Sequence, residues 1–133
     1  MVRGLVPYHT KNNLVMDTAA YLAHLNIPEA PAPNYHGLAQ LQKAHLLHVP
    51  FENLSIHYGH PIDLNLDSLF HKVVKQGRGG FCYELNFLYQ ALLERLGFET
   101  QLILGRVYSS KKQAYGPEFD HMTVMVNLPE GRY

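Results

Sequence analysis

The stretch RGGFCYELNFLYQALLERLG, residues 78–97, decides the reading of this chain. Leu85, Leu88, Leu92 and Leu96 recur at the spacing of one helical face. Gly97 stands where a left-handed C-terminal stop would go. The pattern predicts a helix from about Cys82 to Leu96, entered sharply through Gly79 and Gly80, which also allow a ligand to approach the backbone closely. Cys82 therefore falls at a helix start. There the first N–H groups have no helical partner and the macrodipole is positive. Both favour a thiolate, the nucleophilic form of cysteine. The competing reading is a small buried hydrophobe at a helix end.

Downstream the pattern changes. Phe98 to Tyr108 and His121 to Leu128 are rich in strand formers. Ser109 to Asp120 reads as a polar loop, and Pro129-Glu130-Gly131 as a turn. Arg132-Tyr133 would begin a returning strand, which points to a fragment. Upstream, Asp67 is expected to cap a helix from Ser68 to Gln76, stopped by Gly77. Lys72 and Lys75 suit its C-terminal end. Residues 51–65 read as irregular. Gly37 to His48 forms another helical face, halted by Pro50. Asp17 or Thr18 caps a short helix through Tyr21, Leu22 and Leu25. Pro28, Pro31 and Pro33 make an extended connector. Helices first and strands later give an α+β chain. The expected division is an extension over 1–15, a helical domain carrying the cysteine over 16–98, and the first strands of an incomplete β domain over 99–133.

Composition narrows the function. The 133 residues are 47% hydrophobic and 17% charged, a globular balance with room for a single core. Eleven basic side chains meet eleven acidic ones. A neutral chain has little long-range attraction for nucleic acid or an anionic membrane. No apolar run approaches a membrane span, and the N-terminus lacks the pattern of a signal peptide. A single cysteine excludes a scaffold built on internal disulfides and fits a cytoplasmic setting.

A nucleophilic cysteine needs a base, most often histidine. Of nine histidines, His121 is best placed, because a rigid strand end can aim an imidazole at a helix start. An ordinary strand-edge histidine is the alternative. His45 with His48, and His57 with His60, form pairs three apart, but a zinc site needs three or four ligands, so no metal is expected. Neither GxxxxGK[ST] nor GxGxxG occurs. Glu52 and Arg78 are charges in apolar surroundings; if both are buried near the helix start they should pair.

Taken together these residues resemble the arylamine N-acetyltransferase family. Met16-Asp17 with Tyr21-Leu22 resembles the usual N-terminus. Val49-Pro50-Phe51-Glu52-Asn53-Leu54 resembles the PFENL segment. Arg78-Gly79-Gly80-Phe81-Cys82, continued by Glu84 and Asn86, resembles the RGGxC motif. Asp120-His121-Met122 resembles the segment with the family's catalytic histidine. The resemblance covers residues 16–133 and implies a papain-like arrangement. Cys82 would accept acetyl from acetyl-CoA, with His121 as its base, and no cofactor would be held permanently. Arg78 and Glu52 would brace the loop that contains Gly79 and Gly80. The Cys82 N–H would help hold the oxyanion. Transfer would be ping-pong, to a small arylamine, arylhydrazine or arylhydroxylamine. Phe81, Tyr108 and Phe119 are candidate pocket walls.

The departures are equally specific. The family's third triad member is an aspartate on the strand after the histidine strand, and no residue here matches it. Asp120 is a poor substitute, since successive strand side chains point to opposite faces. The glycine-rich segment that helps hold CoA and the C-terminal lid domain have no counterpart in these residues. Weak or no turnover is therefore expected of the chain as given. A Cys–His hydrolase of the papain or transglutaminase-like group is the alternative enzyme. A catalytically dead fragment acting by association, through an unpaired strand edge around His121–Leu128, is the alternative without chemistry.

Overall fold

A computed structural model describes residues 16–133; the expected extension over residues 1–15 lies outside them. Local capping starts three of the helices. Asp17 Oδ1 accepts a hydrogen bond from Ala20 N at 2.9 Å, opening α1 (Thr18–His24). Asn34 Oδ1 accepts from Gly37 N at 2.9 Å, so α2 (Tyr35–His48) begins two residues before Gly37. Asn65, not Asp67, caps α4 (Leu66–Phe70), accepting from both Asp67 N and Ser68 N. The segment expected to be irregular holds one short helix, α3 (Leu54–His57).

Helix α4 runs into a π turn over His71–Lys75, closed by Gln76 N donating to His71 O. The wider turn keeps Val73 in the core and turns Lys72 toward the next helix. That helix is α5 (Cys82–Arg95), with the bounds expected to within one residue. Gly97 follows at φ +89°, a conformation costly for any residue with a Cβ.

Five strands follow: β1 (Glu99–Gly105), β2 (Tyr108–Ser109), β3 (Ala114–Tyr115), β4 (His121–Leu128) and β5 (Gly131–Arg132). The expected loop after β1 thus contains a small hairpin, β2 with β3. The main sheet is antiparallel in the order β1-β4-β5. Its register sets Glu99 opposite Asn127 and Gly105 opposite His121. The expected open edge on β4 is partly closed. Val126 exchanges two backbone hydrogen bonds with Tyr133, and Asn127 and Leu128 pair with β5. Among the described residues, His121 to Met125 pair with β1 alone.

The centre of the molecule is α5. Leu88, Leu92 and Leu93 are fully buried, against Tyr21, Leu25, Leu41, Leu69 and Val73 from the other helices. Val126, with half-buried Val124 and Leu128, brings β4 into the same cluster. Each fully buried leucine contributes on the order of 2 kcal/mol. This places Cys82 at the first position of the best-anchored element, in the cysteine-protease-like order of helix and sheet.

Candidate active site

Two segments distant in sequence lie side by side at the start of α5. Phe51 and Gly80 form a parallel bridge. Glu52 N donates to Gly80 O at 2.9 Å, and Gly80 N to Pro50 O at 3.3 Å. The glycines make this contact possible. A Cβ on Gly79 would sit 1.8 Å from Pro50 O, and one on Gly80 would sit 2.7 Å from Glu84 Oε2. The segment around Pro50 thereby fixes the approach to Cys82.

Side chains lock the same junction. Arg78 donates to Glu52 Oε1 at 2.8 Å, the pairing expected from the sequence. Glu52 Oε2 also accepts from Leu54 N at 2.7 Å. Burial alone would raise the Glu52 carboxyl. The Leu54 N–H, the Arg78 hydrogen bond and the positive charges of Lys72 and Arg78 together hold it below the usual range.

The remaining partners were not foreseen. Lys72 Nζ lies 2.7 Å from Glu84 Oε1 and 3.3 Å from Ser55 Oγ. Glu84 Oε2 accepts from Phe81 N at 3.1 Å. Glu84 thus acts as the reciprocal half of a capping box from the third helical position. Phe81 at the N-cap offers no acceptor, which is why the sequence did not match that pattern. Lys72 reads by sequence as a charge complementing a helix end; its partner lies twelve residues away.

Cys82 is buried and not in a disulfide. As the first residue of α5, its N–H has no partner within the helix. His121 opens β4, opposite Gly105, so the facing residue on β1 has no side chain. The two elements are tied on both sides of the histidine. The Tyr83 hydroxyl donates to Phe119 O, and Asn86 Nδ2 donates to Met122 O at 2.8 Å. Burial pushes the Tyr83 hydroxyl up, with Cys82 and Asp120 adding to the effect. No hydrogen bond joins the Cys82 and His121 side chains; catalytic bonds of this kind commonly tighten only when substrate is bound. Asp120 is occupied elsewhere: its Oδ1 accepts from Val107 N at 2.9 Å, at the base of the β2–β3 hairpin.

A cavity of about 140 Å³ reaches Cys82 between α2 and α5. Its walls are Gln42, His45, Leu46, Val49, Phe51, Leu85, Asn86 and Tyr89. The expected walls stand apart from it. Tyr108 and Phe119 are about half exposed, and the Phe81 ring lies against Tyr83 at 5.9 Å. Gln42 and His45 supply the polar side chains of the α2 wall, and His45 packs among aromatic residues. Its Nε2 is 3.0 Å from the Tyr21 hydroxyl, and its ring is 4.6 Å from that of Tyr89. Burial, with His24 adding, pushes the His45 imidazole down to about 4. His48 is taken up by Asn26 and Ala44 O. Among the described residues, no group of three or more His, Cys, Asp or Glu is placed to hold a metal. No helix among them is long and apolar enough to cross a membrane.

Comparison with known proteins agrees with this arrangement. The family described as N-acetyltransferase matches residues 35–133. The arylamine N-acetyltransferase of Mycolicibacterium smegmatis is 38% identical over 90% of this chain and 45% of its own. The pineal gland isozyme of Gallus gallus is 35% identical over 89% of this chain and 41% of its own. The chain therefore spans less than half the length of these relatives. Among solved structures, the M. smegmatis enzyme superposes with a TM-score of 0.80 at 36% identity, over 90% of this chain and 45% of that one. A Bacillus cereus arylamine N-acetyltransferase, described as having a Cys-His-Glu catalytic triad, superposes at 0.81 with 28% identity, over 88% of this chain and 47% of its own. With its cysteine at the head of the central helix and its histidine at the head of the strand tied to it, the chain belongs to the arylamine N-acetyltransferase family.

Proposed function

We propose that Cys82 carries an acetyl group from acetyl-CoA to the nitrogen of an arylamine or arylhydrazine, or the oxygen of an arylhydroxylamine. The observation that supports this best is the attachment of the start of α5 to the chain on both sides of His121, Tyr83 to Phe119 O and Asn86 to Met122 O. It brings a strand-end imidazole to the element that carries the thiol.

In the first half-reaction Cys82 has given its proton to His121, and the resulting thiolate attacks the thioester carbonyl. The resulting oxyanion draws on the unpartnered N–H at the helix start. The C–S bond to CoA breaks, and the departing thiolate takes a proton from His121. In the second half-reaction the amine nitrogen attacks acetyl-Cys82. His121 accepts the nitrogen's proton, and the Cys82 thiolate is released. Arg78, Glu52, Gly79 and Gly80 position the loop before the nucleophile. Phe81, Tyr108 and Phe119 stand apart from the Cys82 cavity and would contact only a part of the acceptor that projects beyond it. A free nucleophilic thiol fits a reducing, cytoplasmic compartment.

No acid is paired with His121 among the described residues, so slow turnover is expected of the 133-residue chain assayed by itself. The test is intact mass after mixing with acetyl-CoA, with Cys82→Ala as control. One added acetyl group on the wild type alone supports the reading; acetylation that persists in Cys82→Ala overturns it. The stretch His121–Met125, paired on one side, also supports association of two copies at high concentration. A mass that stays at one chain across a dilution series in light scattering overturns that part.

A further inference from the structure

The cavity at Cys82 holds about 140 Å³. That is close to the roughly 150 Å³ that suffices for one benzene molecule, and below the range of about 300 Å³ and upward that encloses a larger ligand. A second cavity of about 380 Å³ adjoins it, walled by α2, α5, β4 and Tyr133. Gln42, Asn86 and Tyr89 line both, so the two meet at these side chains. Helical spacing explains the continuity. Cys82, Asn86 and Tyr89 recur along one face of α5, and Val49, Gln42 and Ala39 along one face of α2. The groove between these faces starts at Cys82 and reaches the second cavity at Tyr89, seven helical residues or about 10 Å farther along.

We infer that the second cavity is an acceptor subsite and that Ala39, the smallest side chain in its wall, is a specificity-determining residue. This rests on the proposed arylamine reaction and narrows its acceptor to one with two rings joined end to end. The amine-bearing ring occupies the Cys82 cavity and the second ring lies beyond Gln42. The walls suit a neutral ring. Leu38 and Val126 are buried apolar sides, and Tyr35 and Tyr133 stand at the far end with their rings 5.2 Å apart. No Asp, Glu, Lys or Arg lines either cavity, so a charged substituent would find no partner there. Asn86 is tied to Met122 O at 2.8 Å, whereas Gln42 is exposed and turns toward solvent to open the passage.

The test separates the shape of an acceptor from its hydrophobicity. 4-Aminobiphenyl carries its second ring in line beyond the first. 2-Aminobiphenyl has the same atoms, but its second ring lies beside the amine. Each is titrated as a protector of Cys82 against alkylation by iodoacetamide, followed by intact mass; Cys82 is the chain's single cysteine. The linear isomer should protect at about tenfold lower concentration, the effect of burying one more ring. Ala39→Phe puts a side-chain ring into the second cavity and alters no wall of the first. In that variant the two isomers should protect within about twofold of each other. Equal protection by the isomers in the wild type overturns the inference, even if Ala39→Phe fails to fold. An advantage of the linear isomer that survives Ala39→Phe in a folded variant also overturns it. So does a lack of protection by either isomer, which would leave the second cavity to another occupant. The assay needs no acetyl transfer, so a failure of acetyl-CoA to label Cys82 counts against the proposed function and not against the subsite.

Discussion

The helices and the sheet of this protein are held by different means. Over residues 18–95 the helices bury Tyr21, Leu41, Val73, Leu88, Leu92 and Leu93 completely, and their starts at Asp17, Asn34 and Asn65 are capped by adjacent side chains. In the described strands only Met122 and Val126 are buried, and β1 is half-buried along most of its length. A helix satisfies its backbone within itself and needs a neighbour for one face. A strand needs partners at both edges as well as a layer above it. Cys82 stands on the first kind of element and His121 on the second, so the geometry of the pair depends on the less enclosed region.

Truncating the two regions should break the comparison if it is wrong. Leu88→Ala opens a hole in the middle of the core and should cost about 4 kcal/mol. Leu102→Ala, on half-buried β1, should cost about 1 kcal/mol. Urea unfolding midpoints measure both, and equal losses would mean that the sheet is as tightly packed as the helices. The pH response should be the next largest effect and should also come from the helical side. Folded, His45 takes a proton only near pH 4; unfolded, it does so near 6.5. Its contribution is therefore whole above about pH 6.5 and is lost as pH falls toward 4. By pH 5 the loss should be about 2 kcal/mol, with a smaller share from His24, whose imidazole is also lowered by burial. His45→Gln should remove most of the difference between unfolding at pH 7 and pH 5. The smallest effect is expected at the surface beside the site. Leu47 is 70% exposed, and Leu47→Ser should move the unfolding midpoint by no more than about 0.5 kcal/mol. A larger loss would show that this apolar face is covered in solution.

What could be read without coordinates was local. The bounds of α5, the stop at Gly97, the span of β4 and the pairing of Arg78 with Glu52 follow from caps, periodicity and the cost of an unpaired charge. The choice of Asn65 over Asp67 as a cap was not readable, because both are good N-caps and only the burial of Leu69 and Val73 selects the phase. The small β2–β3 hairpin was hidden in polar residues whose pairing depends on Asp120 closing its base. The walls of the Cys82 cavity come from α2, thirty to forty residues upstream, and the partner of Glu84 from a π turn. The sequence by itself determined the long helices and the two long strands, and which of them carries the thiol, since neighbouring residues decide capping and amphipathic period. Only the tertiary structure decided which charges meet at the start of α5, because ion pairs and cavities arise between segments whose separation along the chain says nothing about their distance in space.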